Sequence, residues 1–211
     1  MGGCPSPWAC EAYLRAGHAH RSYGTLLSLL CTFCLLTFKA SADFNWHGKK
    51  PNATQNWLNH GSDLRNRRYA NKETKISPST VSKLSLKWKF YAGKDITATP
   101  AIFNGTLYFP SWNGYIYAIN ASNGSLVWKQ NLQNITGLNA TGFVPNVNYT
   151  VSRSTPTIAG DLLIIGIYGL AVVIALQGSN GKLVWLTQLD SHAAGLITMS
   201  GTYYNGLVNL L

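Results

Sequence analysis

The side chains that could do chemistry in this 211-residue chain are few and lie far apart. The seven Asp and Glu residues form no sequence cluster that would bind a metal ion or act as an acid–base pair. Asp190, Ser191 and His192 are adjacent, but consecutive loop residues rarely adopt the geometry of a catalytic triad. Neither His60 nor His192 belongs to a metal-binding motif. No glycine-rich phosphate loop is present, so nucleotide cofactors are not expected.

Arg153, in the segment Ser-Arg-Ser-Thr-Pro, is a charged side chain whose role the residue types alone leave open. Its guanidinium group is planar and always charged, and it presents a fork of donors that suits carboxylates. The alternative is structural, since an arginine at the start of a sheet can also bind the carbonyl groups of a loop. The choice depends on the elements that position Arg153.

Arg153 lies between two copies of one repeated stretch. The first reads YIYAINASNGSLVW, from Tyr115 to Trp128, and the second reads VVIALQGSNGKLVW, from Val172 to Trp185. The match extends upstream, where Thr99-Pro100 corresponds to Thr155-Pro156. A repeated unit of short strands at this period is typical of the blades of a β-propeller.

Tight turns divide each copy into four predicted strands. In the first unit these are residues 98–103, 106–110, 115–120 and 126–132; in the second they are 155–159, 162–166, 172–176 and 183–189. Asn104-Gly105 between the first two strands is a strong signal for a type I′ hairpin. A third unit begins at Leu196 and breaks off after Gly206. We therefore predict an all-β fold with about two complete four-stranded blades and partial blades beside them.

The segment before the first unit predicts a further strand. Leu84, Leu86, Trp88 and Phe90 alternate with polar residues, which would place all four on one half-buried face. No stretch after residue 42 shows a sustained period of 3.6 residues, so we expect essentially no helix there.

The first 42 residues have the pattern of a secretory signal peptide. Arg15 and Arg21 precede an apolar run over residues 26–36, and Ala40-Ser41-Ala42 suits cleavage after Ala42. The alternative is a membrane anchor, for which the apolar run is short.

We predict an exposed leader over 43–56, the propeller part over 57–211, and a secreted, extracellular or cell-wall location. All four cysteines precede residue 42, so the mature chain has none.

Seven Asn-X-Ser/Thr sites support export to a glycosylating compartment. They are Asn52, Asn104, Asn120, Asn123, Asn134, Asn139 and Asn148. After residue 42 the chain has 14 Lys and Arg against 6 Asp and Glu. This excess predicts either a solvated basic face or association with an acidic cell-wall polysaccharide, and no motif indicates nucleic-acid binding.

The pattern Ala-x-x-x-x-x-Gly-x-x-x-Trp, from Ala118 to Trp128 and again from Ala175 to Trp185, resembles the tryptophan-docking motif of the quinoprotein alcohol dehydrogenases. These proteins are built from pyrroloquinoline quinone (PQQ) repeats. The chain looks most like the plant proteins similar to polyvinyl-alcohol dehydrogenase. The resemblance implies that Trp88, Trp128 and Trp185 are structural docking residues, each packed against the next blade.

The resemblance also implies an eight-bladed propeller that carries PQQ and calcium on its axis and oxidises a small alcohol. Arg153 and Thr198 match family positions that contact the cofactor. No residue of this chain matches the family's calcium ligands or its catalytic base. We therefore expect a fragment of a secreted quinoprotein oxidoreductase that is inactive, and binds neither cofactor, as the chain stands. The alternative is a non-catalytic secreted β-propeller that binds protein or glycan.

Overall fold

The computed structural model describes residues 56–70, 73–140 and 148–210, together with the backbone of Thr37–Lys39. The predicted signal peptide, the leader and the glycosylation site at Asn52 lie outside the described residues, except for that short strand and residue 56. Among the described residues, no helix is long and apolar enough to cross a membrane.

Two four-stranded antiparallel sheets form the main part of the structure, and in each the strands neighbour one another in chain order. The first sheet contains β2 (Ala101–Phe103), β3 (Thr106–Pro110), β4 (Tyr115–Asn120) and β5 (Leu126–Asn131). The second contains β6 (Thr157–Ala159), β7 (Leu162–Gly166), β8 (Val172–Gln177) and β9 (Leu183–Gln188). The predicted all-β architecture with two blade-like units is confirmed.

The two repeats fold in the same register. Ala118 pairs with Trp128 and Ala175 pairs with Trp185, and in both sheets the register shifts directly after the alanine. The repeated sequence therefore specifies a repeated irregularity as well as repeated strands.

A third, smaller sheet follows the second. It pairs β10 (Thr202–Tyr204) with β11 (Leu207–Asn209), and β1 (Thr37–Lys39) runs antiparallel to β11. The β10–β11 turn has positive φ at both Asn205 and Gly206, as the β2–β3 turn has at Asn104 and Gly105. This is the backbone that a type I′ hairpin requires, and it confirms the predicted turn.

The sheets pack face to face. β6 lies beside both β2 and β10, so the first strands of successive units are neighbours. Most residues of β4 and β8 are buried, whereas those of β5 and β9 are exposed or partly exposed. Ile116 of the first sheet and Ile165 and Ile174 of the second belong to one core cluster. The first strand of each unit is thus internal and the fourth lies at the outer edge, as in propeller blades.

The prediction of a strand over Val81–Phe90 is wrong for the described chain. Val81–Lys83 forms a single turn of 3₁₀ helix, and no strand is assigned to the residues that follow it. Leu84 and Leu86 are 62% and 70% exposed, while Trp88 and Phe90 pack against the first sheet. The alternation is real, but among the described residues no neighbouring strand supplies the hydrogen bonds that would make the segment part of a sheet.

The expectation of essentially no helix needs one correction. A five-residue helix, α1 (Leu132–Thr136), follows β5 directly. The Asn131 side chain accepts a hydrogen bond from the N–H of Asn134, and Gly137 ends the helix in the left-handed conformation. Local capping holds this turn, which is too short to leave a periodic signal in the sequence.

Candidate functional site

Arg153 lies in the segment that leads into β6, and its side chain is exposed. The guanidinium carbon is 5.9 Å from the ring centroid of Trp112 and 5.5 Å from that of Tyr168. The two rings are themselves 5.9 Å apart and meet at 67°, edge to face. The cation therefore sits in a notch between two aromatic rings, where both attract it.

The backbone at each ring of the notch is hydrogen-bonded to the segment that leads into its own sheet. Trp112 follows β3, its backbone N–H donates to the Asp95 carbonyl at 2.9 Å, and its indole Nε1–H donates to Thr97 Oγ1 at 3.0 Å. Tyr168 follows β7, and its backbone N–H donates to the Val151 carbonyl at 2.9 Å. The notch thus forms between the second turns of two successive units.

Alternation along the segment directs Arg153 outward. Its neighbours Ser152 and Ser154 are both buried. Ser152 Oγ donates to the Gly166 carbonyl at 2.7 Å and accepts from the Ser154 N–H at 3.2 Å. Ser154 Oγ is buried without a hydrogen-bond partner among the described residues. The bond from Ser152 to the end of β7 and the bond from Ser154 to Ser152 therefore hold the segment on both sides of Arg153, which is itself exposed.

Thr198, the other predicted cofactor-binding residue, is exposed in the segment that leads to β10. Within the described part of the chain, no hydrogen bond or ring contact joins Thr198 to Arg153. The two segments are connected two residues further on, where the Thr155 N–H donates to Ser200 Oγ at 2.9 Å.

The predicted docking tryptophans occupy equivalent places. The Trp88 indole N–H donates to the Ala121 carbonyl at 3.1 Å, and a Cβ on Gly124 would lie 2.7 Å from its ring. The same contacts recur one unit later for Trp128. Its indole N–H donates to the Gly178 carbonyl at 2.8 Å, and a Cβ on Gly181 would lie 2.7 Å from its ring. Each of these indoles thus lies on the glycine turn of the following unit.

Trp185 packs against a core cluster that contains Val173 of its own sheet and Ile197 and Val208 of the following unit. It is partly buried, as Trp88 and Trp128 are. None of the three tryptophans contacts Arg153 in the described structure, so they belong to the packing of the sheets.

Few charged side chains accompany Arg153. Lys94 lies over the ring of Tyr149, with its Nζ 5.4 Å from the centroid. The pKa of Asp63 is lowered by its hydrogen bond with Arg67. No group of three or more His, Cys, Asp or Glu side chains in the described residues could hold a metal ion.

Sequence reasoning did not single out Trp112 or Tyr168. The signal that could have found them is positional, because both are aromatic residues in the second turn of successive repeats. Their importance depends on Arg153, which the fold brings to both turns from a third segment.

The repeats are similar to those of known quinoproteins. Residues 57–141 match the family model described as "Glucose/ethanol/alcohol dehydrogenase, beta-propeller domain". A polyvinylalcohol dehydrogenase of a Sphingopyxis species is 25% identical over 164 residues, which are 74% of this chain and 22% of that protein. A stretch of 80 residues is 31% identical to the quinohemoprotein alcohol dehydrogenase ADH-IIG of Pseudomonas putida, covering 37% and 11% of the two chains. Over residues 57–141 the chain is therefore similar to the β-propeller domain of these dehydrogenases.

Solved quinoprotein structures share the fold. The quinohemoprotein alcohol dehydrogenase of Comamonas testosteroni superposes with a TM-score of 0.60 at 23% identity, over 74% of this chain and 23% of that one. A europium-containing methanol dehydrogenase superposes with a TM-score of 0.53 at 21% identity, over 72% and 26%. The chain spans less than a quarter of the length of the Sphingopyxis and Pseudomonas dehydrogenases, both of which are bacterial.

The predicted N-glycosylation sites among the described residues are at least partly exposed. Asn104, Asn123, Asn134, Asn139 and Asn148 are exposed, and Asn120 is partly exposed. The side-chain oxygen of Asn120 accepts hydrogen bonds from the backbone N–H and the hydroxyl of Ser122, within the same site.

Proposed function

We propose that this chain supplies the arginine side of a PQQ site in an oxidoreductase that acts on the CH–OH group of a small alcohol. The observation that carries the proposal is the exposed Arg153 guanidinium, which lies between Trp112 and Tyr168 at the junction of two sheets, the first of which lies within the stretch that matches the PQQ family model. PQQ is a planar tricarboxylate, and a guanidinium fork binds carboxylates through paired charge-assisted hydrogen bonds.

The chemistry divides between the cofactor and the protein. When bound, PQQ supplies the quinone that takes up a hydride from the alcohol. Arg153 binds and orients the carboxylates, and Thr198 donates a hydrogen bond to the same ligand. The described residues offer no calcium site, so no step is assigned to that ion.

A titration of the full chain with PQQ tests the proposal. The sequence alone led us to expect no bound cofactor, but the Arg153 guanidinium between two rings leads us to expect weak, saturable binding that is independent of calcium, seen as a change in the quinone absorbance. Arg153→Ala should abolish it. Arg153→Lys should retain part of it, because a lysine keeps the charge but loses the fork. Equal binding by wild type and Arg153→Ala would contradict the proposal and favour the alternative of a non-catalytic binding propeller. No alcohol oxidation with an artificial electron acceptor is expected from this chain alone.

Export forms a second part of the proposal. The signal-like residues 1–42 and the exposed sites at Asn134, Asn139 and Asn148 support a secreted glycoprotein. Expression in a glycosylating host should yield a chain that begins at Asp43 and loses mass on endoglycosidase treatment. A retained N-terminus and an unchanged mass would contradict export.

A further inference from the structure

We infer that Trp112 and Tyr168 are positioning residues, which hold the Arg153 guanidinium in a fixed orientation for a planar aromatic carboxylate. The inference rests on the proposed function and adds the means by which an exposed arginine is kept ready for its ligand. Neither ring was implicated by the repeat motif or by the resemblance to known families.

The first supporting observation is the geometry of the notch. Arg153 lies over both rings, and the rings are close to perpendicular, so the cation is confined on two sides. An exposed arginine without such confinement samples many rotamers, and binding a ligand must then order it. Two cation–π contacts reduce that cost because they order the side chain in advance.

The second observation is that the Trp112 ring is itself anchored. Its indole N–H donates to Thr97 Oγ1, and its backbone N–H donates to the Asp95 carbonyl. Both partners lie in the segment that leads into β2, whereas Arg153 lies in the segment that leads into β6. The notch therefore links two units, and it exists only when the two sheets are docked.

The third observation concerns the free face of the site. Arg153 lies over the ring of Trp112 and is exposed to solvent, so the ring can order the arginine while the guanidinium remains accessible to the ligand. Replacing Trp112 should therefore weaken every carboxylate ligand that Arg153 binds, and it should also change the environment of the Arg153 protons. A residue that only stabilises the fold would do neither in a folded variant.

The test compares Trp112→Leu, which removes the aromatic face, with Trp112→Phe, which restores a ring. Thr97→Val is a gentler variant, since it removes only the anchor of the indole N–H. Lys129→Ala is the matched control, because it also removes a cation over an aromatic ring. Lys129 lies on the outer strand β5, and its Nζ is 5.2 Å from the centroid of the Tyr115 ring. Each full-length variant is titrated with PQQ and with pyridine-2,6-dicarboxylate, and Arg153 is followed by NMR after arginine-selective labelling.

In the wild type, the Arg153 side-chain protons should be shifted upfield by the ring currents. Trp112→Leu should lose the part of that shift that the Trp112 ring contributes and bind both probes roughly fivefold more weakly, which is the scale of an exposed cation–π contact. Trp112→Phe should restore most of the ring-current shift and most of the affinity. Thr97→Val should lie between wild type and Trp112→Leu in both measurements, and Lys129→Ala should match wild type.

The outcomes separate the two proposals. Unchanged Arg153 shifts and unchanged affinities in Trp112→Leu would overturn the positioning role. Binding of the dicarboxylate through Arg153 without binding of PQQ would overturn the proposed function and leave the positioning role standing. Failure of the wild type to bind either probe would overturn both.

Discussion

Thr99 and Thr155 occupy the same place in successive sheets, and the backbone N–H of Thr99 donates to Thr155 Oγ1 at 3.1 Å. The relationship repeats one unit later, where the N–H of Thr155 donates to Ser200 Oγ at 2.9 Å. In each case the hydroxyl that precedes the first strand of one unit accepts a hydrogen bond from the backbone N–H that precedes the first strand of the previous unit. This relay joins the segments that carry Arg153 and Thr198.

Thr155→Val should destabilise the fold by about 1–3 kcal/mol, because the Thr99 amide would lose its acceptor in a largely buried place. Thr99→Val is the matched control. It also removes a hydroxyl, but in the described residues that hydroxyl accepts and donates no hydrogen bond, so a change within about 0.5 kcal/mol is expected. Urea unfolding of both variants measures the difference. Equal losses would show that the relay does not stabilise the contact between sheets.

The glycine turns under the tryptophans make a second prediction. Gly181 has φ of +70°, and a Cβ there would lie 2.7 Å from the ring of Trp128. Gly160 has a similar φ of +63° with open space around it. Gly160→Ala should lower the free energy of unfolding by only about 1–2 kcal/mol, which is the cost of holding an alanine in the left-handed conformation. Gly181→Ala should lower the free energy of unfolding by about 1–3 kcal/mol more than Gly160→Ala does, because the indole of Trp128 must also move.

Thermal unfolding followed by tryptophan fluorescence distinguishes the two glycine variants. Gly181→Ala should also alter the emission of the folded state, since the environment of Trp128 changes. Identical melting temperatures for the two variants would contradict the docking role of this turn.

The sequence predicted the repeated parts of the fold well, for a physical reason. Within each unit tight turns separate short apolar runs, so local signals determine where β3, β4, β7 and β8 begin and end. Of the described site, only Arg153 and Thr198 were predictable, and only through resemblance. The notch of Trp112 and Tyr168 depends on how two sheets dock, which no local pattern encodes.

The segment before β2 shows the limit of alternation. Its apolar side chains follow a strand period, yet Leu86 is exposed while Phe90 packs edge to face on Phe109 and Tyr117, with centroids 6.1 and 5.4 Å apart. Period two identifies residues that share a face, but whether that face is covered depends on what lies opposite.

This difference gives a third prediction. Leu86→Gln should change the unfolding free energy by no more than about 0.5 kcal/mol, because the side chain is already in water. Phe90→Ala should cost about 2–3 kcal/mol, because it removes two aromatic contacts and leaves a space against the first sheet. Urea unfolding of the two variants provides the measurement. A large loss in Leu86→Gln would mean that a segment outside the described residues covers this face.

Tyr108 leads to a prediction about alkaline pH. Burial raises the pKa of its phenol, and the charge of Asp161 acts in the same direction. The hydroxyl donates to the Gly178 carbonyl at 3.4 Å, beneath the Trp128 ring. A phenol whose pKa is higher in the folded state contributes no pH dependence below the unfolded value of about 10. Above that value the unfolded chain loses its proton first, so stability falls until the folded pKa is passed. The loss should approach about 1.4 kcal/mol per pH unit for this one group.

Tyr108→Phe should remove this component of the alkaline loss. The variant should be slightly less stable than wild type at pH 8, because it lacks the hydroxyl, and should lose less stability between pH 9 and pH 11. Unfolding free energies measured in urea across that range test the prediction, with the pH 8 values setting the offset between the two proteins. Parallel curves for the two proteins would show that the phenol titrates alike in the folded and unfolded states, and would contradict the role of burial at this contact between the sheets.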